Sequence, residues 1–155
     1  IGAEMLPQVE AIMQRAFDPI YGEAWSKAQC LSVYAFTGYQ FLGAVTQDGQ
    51  TTQLTGFAIT RTVAGESELL LLATDPALHN MGIGRALMHY WLETCRQSGT
   101  SRAFLEMRRD NSAIHLYRNM DFRDIAVRPG YYRGGDGQSS ADRRVDAGNR
   151  RASAR

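Results

Sequence analysis

The sequence is short of cysteine and lysine and has no long apolar run. Its two cysteines, Cys30 and Cys95, belong to no CxxC motif and to no cluster of cysteine and histidine. This spacing excludes the disulfide framework of small secreted domains and a zinc site with closely spaced ligands. The longest strongly apolar stretch, residues 69–73, is far below the ~20 residues that a membrane helix needs. We therefore expect a cytoplasmic protein with no metal centre, no membrane partner and no secretory leader.

Positive charge comes almost entirely from arginine. Lys27 is the single lysine of the sequence, against sixteen arginines, and the formal net charge is +1. Residues 133–155 hold six arginines and three aspartates, so this segment carries +3 and the preceding 132 residues carry −2. A nucleic-acid surface normally concentrates basic residues on one face. We therefore expect no nucleic-acid partner. A tether to RNA or to the ribosome through the cationic segment is the alternative, and only the +3 charge supports it.

Length and periodicity predict one α/β domain. A chain of 155 residues, 44% hydrophobic, can bury a core without disulfide or metal support. Apolar spacing and turn residues predict the element order ααβββαβαβ. Tight turns join the first three strands and helices join the later ones, which indicates a mixed sheet that is antiparallel in its first half. The predicted strands are Tyr39–Thr46, Gly56–Val63, Glu68–Thr74, Arg102–Met107 and Phe122–Tyr132.

Four segments have the pattern of helices. The first covers residues 6–17, and the second begins after Trp25 with Ser26 as its N-cap and with Cys30 and Leu31 on its inner side. The third extends from residue 83 towards residue 99, and the fourth follows a cap at residue 110 or 111. Apolar spacing predicts that the third and fourth bury one face each, with Ile83, Leu87, Tyr90, Trp91, Thr94, Ile114 and Tyr117 turned inward.

The run His79 to Gly84 is the most informative motif. Gly82 and Gly84 let the backbone approach a ligand where the next helix exposes unpaired N–H groups, which is typical of an anion-binding loop. A tight turn from strand to helix would also explain these glycines. The run lacks the Gly-Lys-Ser/Thr ending of a P-loop, and Leu87 stands where a dinucleotide fold has its third glycine.

Several motifs in order from Gly56 to Tyr132 resemble the GNAT superfamily of acyl-CoA-dependent N-acetyltransferases. The family's pyrophosphate signature, Arg/Gln-x-x-Gly-x-Gly/Ala, matches residues 79–84 except at His79. Within the superfamily the chain looks like the bacterial ribosomal-protein-alanine N-acetyltransferases. The matching runs are Gly-Phe-Ala-Ile-Thr (56–60), Asp-Pro (75–76), Gly-Ile-Gly-Arg-Ala-Leu (82–87), Leu-Glu-Met-Arg-Arg-Asp-Asn-Ser-Ala-Ile-His-Leu-Tyr (105–117) and Arg-Pro-Gly-Tyr-Tyr (128–132).

The resemblance implies a GNAT fold and a cofactor site. In the family a mixed central sheet, splayed at its fourth strand and flanked by helices, binds acetyl-CoA along the splayed strand. Backbone groups of that strand bind the pantetheine arm, the glycine loop binds the pyrophosphate, and an asparagine further on contacts the cofactor. The corresponding residues here are Leu72, Ala73, Thr74, Asn80, Met81, Gly82, Ile83, Gly84, Arg85 and Asn111. An asparagine beside Ser112 is also typical of a helix cap.

The resemblance also implies two catalytic residues. Glu106 corresponds to the family's general base and Tyr117 to its general acid, in a direct attack of the amine on the thioester. A base is needed because a peptide α-amine has a pKa of about 7.7–8.0 and is largely protonated at neutral pH. An exposed strand glutamate and a core tyrosine are the structural alternatives for these two positions.

These roles imply an enzyme that transfers acetyl from acetyl-CoA to a protein N-terminal α-amine, with a ribosomal protein as a candidate acceptor. Two alternatives remain open at this point. One is an acetyltransferase of a small amine or a lysine side chain. The other is a non-catalytic module that binds acyl-CoA.

The C-terminal segment departs from the family pattern. The family ends in an apolar last strand, whereas residues 141–146 here offer little to bury. We therefore expect an acetyltransferase domain over residues 1–132 and a disordered Arg/Gly-rich tail over residues 133–155. The last strand would then be missing, which leaves residues 125–132 as an exposed edge, or it would come from another chain.

Overall fold

The computed structural model of the chain describes residues 1–133 and 139–147, which form one α/β unit. The helices are α1 (Leu6–Ala16), α2 (Lys27–Tyr34), α3 (Ile83–Gln97) and α4 (Ile114–Arg118). The strands are β1 (Tyr39–Asp48), β2 (Thr51–Val63), β3 (Glu66–Thr74), β4 (Arg102–Arg108), β5 (Phe122–Arg133) and β6 (Ser139–Ala147). The predicted α/β class and the element order through β5 are confirmed.

All six strands join in one mixed sheet of order β1-β2-β3-β4-β6-β5. The pairs β1–β2 and β2–β3 are antiparallel, as the tight turns predict. The β2–β3 turn carries positive φ at Ala64 and Gly65, 51° and 79°, which suits the twist of a short hairpin. The β3–β4 pair is parallel, because α3 carries the chain back across the sheet.

Helices cover both faces of the sheet. α1 and α2 pack on one face, where Val9, Ile12 and Met13 meet sheet residues such as Phe57 and Leu71. α3 and α4 pack on the other face through Leu87, Met88, Trp91, Ile114 and Tyr117, among others. Buried apolar residues on both faces supply the main stabilisation of the domain.

Local sequence signals place the helix boundaries well. Ser26 and Gln29 form the two reciprocal hydrogen bonds of a capping box at the start of α2. Two predicted inward residues are nevertheless wrong: Leu31 is 49% exposed and Tyr90 is 64% exposed. In α2 the buried residue is Cys30. In α3 the buried stripe is rotated relative to the predicted one and runs through Leu87, Met88, Trp91, Leu92 and Cys95.

The expectation of a disordered tail is wrong for residues 139–147. They form β6, which lies between β4 and β5 and pairs antiparallel with both. This chain therefore supplies its own last strand. The physical reason is that a sheet ladder is made by backbone N–H and C=O groups, which a polar segment has as well as an apolar one. The rest of the predicted tail, residues 134–138 and 148–155, lies outside the described residues.

Candidate active site

β3 and β4 begin as neighbours and then diverge. Their parallel pairing runs from Glu66 opposite Arg102 to Leu69 opposite Leu105. Within the described part of the chain, no β4 residue pairs with residues 70–74. On its other side β3 stays paired with β2 as far as Thr74. The backbone of residues 71–74 therefore keeps one edge against β2 and turns the other edge to the gap between β3 and β4.

A β-bulge in β3 lies where the two strands part. The β2–β3 register shifts between Ile59, opposite Leu71, and Thr60, opposite Leu69, so Leu70 is the extra residue. A bulge bends its strand and interrupts the alternation of faces. Leu69 and Leu72 accordingly both pack on the α3 side, although an unbroken strand would put them on opposite faces.

The glycine loop ends at the N-terminus of α3, beside the open end of β3. Asn80 and Gly82 have φ values of +63° and +78°, so the loop makes the tight turn that the sequence predicts. The first helical bond that the structure gives for this turn is Ala86 N–H to Gly82 carbonyl. The N–H groups of residues 82–85 precede that bond and lack an intrahelical acceptor, which makes this helix end suited to an anion.

The two glycines of the loop serve different needs. Position 82 favours glycine because its φ is positive. A methyl group added at Gly84 would lie 3.5 Å from Leu116 and 3.8 Å from Thr74, which is ordinary van der Waals contact. Packing within the chain therefore does not require glycine at position 84. A third glycine, Gly56 on β2, does have a packing reason, because an added Cβ would lie 2.8 Å from Ile83. Gly56 thus lets the first turn of α3 approach the sheet.

Glu106 lies on β4 immediately after the last pairing with β3. Its neighbours Leu105 and Met107 are buried on the α3 side, so alternation turns Glu106 to the α1 side. The Glu106 side chain is half-buried.

Tyr117 lies on α4, on the opposite face from Glu106. It is 6% exposed, with its ring centroid 5.9 Å from that of Phe122. Burial raises the pKa of the Tyr117 phenol well above its usual value, and the negative charge of nearby Glu23 raises it further. The hydroxyl therefore stays protonated throughout the physiological range, as a proton donor must. The core position and the donor role are compatible, because the ring is buried while the phenol keeps its proton.

Asn111 caps the turn that leads into α4, whose own N-cap residue is Ala113. Its Oδ1 accepts a hydrogen bond from Ala113 N–H at 2.9 Å, and its carbonyl accepts from Ile114 N–H at 3.2 Å. Asn111 therefore caps a turn, as the structural alternative suggests, but the helix itself begins later than predicted and its N-cap residue forms no side-chain cap hydrogen bond. A contact between Asn111 and a cofactor stays a prediction.

Residues of the α1–α2 connection also reach the diverging end of β4, which the sequence analysis did not predict. Arg108, two residues after Glu106, donates from Nε to Glu23 Oε1 at 2.8 Å, and its Cζ lies 3.5 Å from the Tyr21 ring centroid. Alternation along β4 was the available signal, because it puts Arg108 on the same face as Glu106. Tyr21 and Glu23 carry no comparable signal, and Glu23 is 85 positions away from Arg108.

The site therefore has two sides that meet at the gap between β3 and β4. The glycine loop, Tyr117 and α4 belong to the α3 side, and Glu106, Arg108 and the α1–α2 connection belong to the other side. Two ligand groups, one entering from each side, can therefore meet at the gap. In residues 1–133 and 139–147 no cluster of three histidine, cysteine or acidic residues could hold a metal ion, and no helix of that part is long and apolar enough to cross a membrane.

Comparison with known proteins assigns the family. The model of the acetyltransferase (GNAT) family matches residues 6–122. The chain belongs to the GNAT family. It is thus an acetyl-CoA-dependent N-acetyltransferase, and the predicted GNAT fold with its splayed strand is confirmed.

The GNAT relatives include ribosomal-protein acetyltransferases. The chain is 33% identical over 138 residues to the [ribosomal protein bS18]-alanine N-acetyltransferase of Escherichia coli (strain K12), with 88% of this chain and 86% of that protein covered.

Solved structures share the fold of this chain. The crystal structure of the ribosomal-protein-S18-alanine N-acetyltransferase from Escherichia coli aligns with a TM-score of 0.81 at 27% identity, covering 100% of this chain and 96% of that one. Arabidopsis thaliana NAA60 in complex with acetyl-CoA aligns with a TM-score of 0.79 at 20% identity, covering 94% of each chain, and supports the fold.

Proposed function

We propose that the protein transfers the acetyl group of acetyl-CoA to the α-amine of a protein N-terminus, with an N-terminal alanine of a ribosomal protein as the acceptor. The observation that carries the proposal is the divergence of β3 from β4 beyond Leu69 and Leu105, with Glu106 on one face of the gap and Tyr117 on the other. The acceptor is that named for the relatives of the chain. It implies a reaction in the cytoplasm.

The cofactor side of the proposal rests on backbone groups. The backbone of residues 72–74 would hydrogen-bond the pantetheine arm. The edge of β3 that faces the gap can do so because the pairing of β3 with β4, within the described residues, ends at Leu69. The N–H groups of residues 82–85 would bind the pyrophosphate at the start of α3. Met81 and Arg85 are exposed beside this loop, and the Arg85 guanidinium would add positive charge. Backbone binding explains how His79 can replace the usual arginine or glutamine.

Glu106 is the proposed general base. An α-ammonium must lose a proton before its nitrogen can attack the thioester carbonyl, and a carboxylate within hydrogen-bond reach can accept it. The half-buried position of Glu106 beside the gap supports this role. The attack then forms the new C–N bond directly, with no covalent enzyme intermediate. Cys95 is buried with a raised pKa, caused mainly by burial, and an uncharged thiol is a weak nucleophile.

Tyr117 is the proposed general acid. When the C–S bond breaks, the departing thiolate needs a proton. A tyrosine phenol is already protonated at neutral pH, and burial raises the pKa of Tyr117 further, so the proton is present on Tyr117 for transfer. Its position on the α3 side, opposite Glu106, agrees with a leaving group that lies on the cofactor side. The base and the acid thus serve the two partners from the two faces of the sheet.

The proposal is tested by incubating the protein with acetyl-CoA and three matched peptides. The first has a free N-terminal alanine and no lysine. The second is the same peptide with a formylated N-terminus, and the third has a formylated N-terminus and an internal lysine. Mass spectrometry should find acetylation of the first peptide alone. Acetylation of the third at a comparable rate would instead identify a lysine acetyltransferase, and CoA binding without any acetylation would identify a non-catalytic module.

A further inference from the structure

The connection between α1 and α2 spans the mouth of the gap on the Glu106 side. We call residues 17–23 the crossing segment. At its start, Arg15 of α1 donates to Asp75 at 2.8 Å, and Asp75 directly follows β3. At its end, Glu23 accepts from Arg108 of β4 at 2.8 Å. One ion pair therefore lies near each end of the segment: Arg15 joins the end of α1 to the residue after β3, and Glu23 joins the segment to β4.

The two anchors differ in strength. The Arg15 side chain is 51% exposed, whereas the Arg108 and Glu23 side chains are 12% and 15% exposed. An exposed ion pair contributes little because water and salt screen it, while a desolvated hydrogen-bonded pair holds its geometry. Arg108 also stacks on the Tyr21 ring and donates to Asp110 at 2.9 Å. Arg108 is therefore the principal attachment of the segment.

The crossing segment is a compact turn, so the attachment of its end to Arg108 also fixes its other residues. Asp18 Oδ1 accepts from Ile20 N–H at 3.0 Å, which begins the single turn Pro19–Tyr21, and Gly22 follows with φ +62°. Such a capped turn is compact, so fixing Tyr21 and Glu23 fixes the residues before them. Ile20 is 50% exposed at the tip of the turn.

We propose that Arg108 is a positioning residue that holds the crossing segment beside Glu106 and thereby forms the surface on which the acceptor docks. The inference rests on the proposed function, since it assigns the acceptor to the Glu106 face. Arg108 touches Tyr21 and Glu23 and acts through them. The glycine loop lies on the other face, so this attachment affects the acceptor and leaves acetyl-CoA binding unchanged.

Three variants test the proposal. Arg108→Gln removes the charge and the stacking cation, and Arg108→Lys keeps the charge alone. Arg102→Gln is the matched control, because Arg102 lies on the same strand and face, with Glu66 at 3.7 Å and the Phe104 ring centroid at 5.6 Å, but beside the paired part of β4. Each variant is assayed for peptide KM, acetyl-CoA KM and kcat, and for amide hydrogen exchange of residues 17–26.

Arg108→Gln should raise the peptide KM by about tenfold, equivalent to about 1.4 kcal/mol, with acetyl-CoA KM unchanged and with faster exchange in residues 17–26. Arg108→Lys should recover part of the loss, and Arg102→Gln should match the wild type. In the double variant E23Q/R108Q the peptide KM should equal that of R108Q, because both changes break the same pair.

Equal increases in peptide and acetyl-CoA KM, or unchanged exchange in residues 17–26, would overturn the proposal. So would an effect of Arg102→Gln as large as that of Arg108→Gln. If the wild-type protein acetylated no peptide, the proposed function would fail, and the docking role with it. Hydrogen exchange would then still show separately whether Arg108 anchors the segment.

Discussion

The β3–β4 pair has two halves that differ in their neighbours: the strands are paired in the first half and separated in the second. In the first half, Glu66–Leu69 and Arg102–Leu105 pair in parallel register, and the Arg102 guanidinium lies 3.7 Å from the Glu66 carboxylate across the pair. In the second half, residues 70–74 and 106–108 face a gap. Both halves of β4 carry an arginine on the same face of the strand, Arg102 in the first and Arg108 in the second, among buried apolar residues. The chemistry therefore depends on where a strand loses its neighbour, more than on which residue types it carries.

The largest expected difference between the halves is in catalysis. Glu106→Gln removes the proposed base, so kcat should fall by about 10²-fold or more, with acetyl-CoA KM unchanged because the cofactor lies on the other face. Glu66→Gln is the matched control in the paired half, and its kcat should stay close to that of the wild type. Steady-state kinetics with a free-alanine peptide at neutral pH measure both. Equal kcat values for the two variants would remove the base assignment.

A second contrast compares glycines near the gap and far from it. Gly84 has room for a methyl group within the chain, so Gly84→Ala should keep or raise the free energy of unfolding, by up to about 1 kcal/mol. The acetyl-CoA KM should nevertheless rise by about tenfold, because the methyl group obstructs the pyrophosphate at the backbone. Calorimetric titration with CoA measures the change in cofactor affinity, and urea unfolding measures the change in the free energy of unfolding.

The control for that contrast is Gly49→Ala in the β1–β2 turn. Gly49 has φ +60°, so alanine there should cost about 1–2 kcal/mol of stability and leave acetyl-CoA KM unchanged. If Gly84→Ala lost stability without any change in CoA affinity, Gly84 would be a structural glycine.

The smallest effect concerns Tyr117 and alkaline stability. Its pKa is raised in the folded protein, so above about pH 10, the pKa of an ordinary tyrosine, the unfolded chain loses this proton first. The free energy of unfolding should then fall as pH rises, by up to about 1.4 kcal/mol per pH unit from this group. Tyr117→Phe lacks the contribution, so its stability should decline less steeply. Urea unfolding between about pH 9 and 11 compares the slopes, and identical slopes would contradict the burial of the phenol.

Most of the fold was predictable from local signals. Apolar periodicity defined α1 and α3, and Ser26 marked the start of α2. The divergence of β3 from β4 was not readable from the residues themselves. The bulge at Leu70 shifts the alternation within the run Leu69–Leu72, and four identical side chains conceal such a shift. It was the resemblance to a known family that implied the splay.

Two other features depend on tertiary structure. β6 was missed because its sequence offers few apolar side chains, while its pairing uses backbone groups that every segment has. The attachment of Arg108 to Glu23 joins positions 85 apart, and neither residue belongs to a motif. The catalytic candidates Glu106 and Tyr117 could be named from the sequence because they lie close together within the recognised motifs.

The structure of the protein with CoA covalently linked to an acceptor peptide tests the central claim most directly. The account predicts that the pantetheine arm lies between β3 and β4 and hydrogen-bonds the backbone of residues 72–74. The peptide N-terminus should then lie within hydrogen-bond reach of Glu106, against the crossing segment. A pantetheine arm outside the gap, or a peptide on the α3 face away from Glu106, would contradict it.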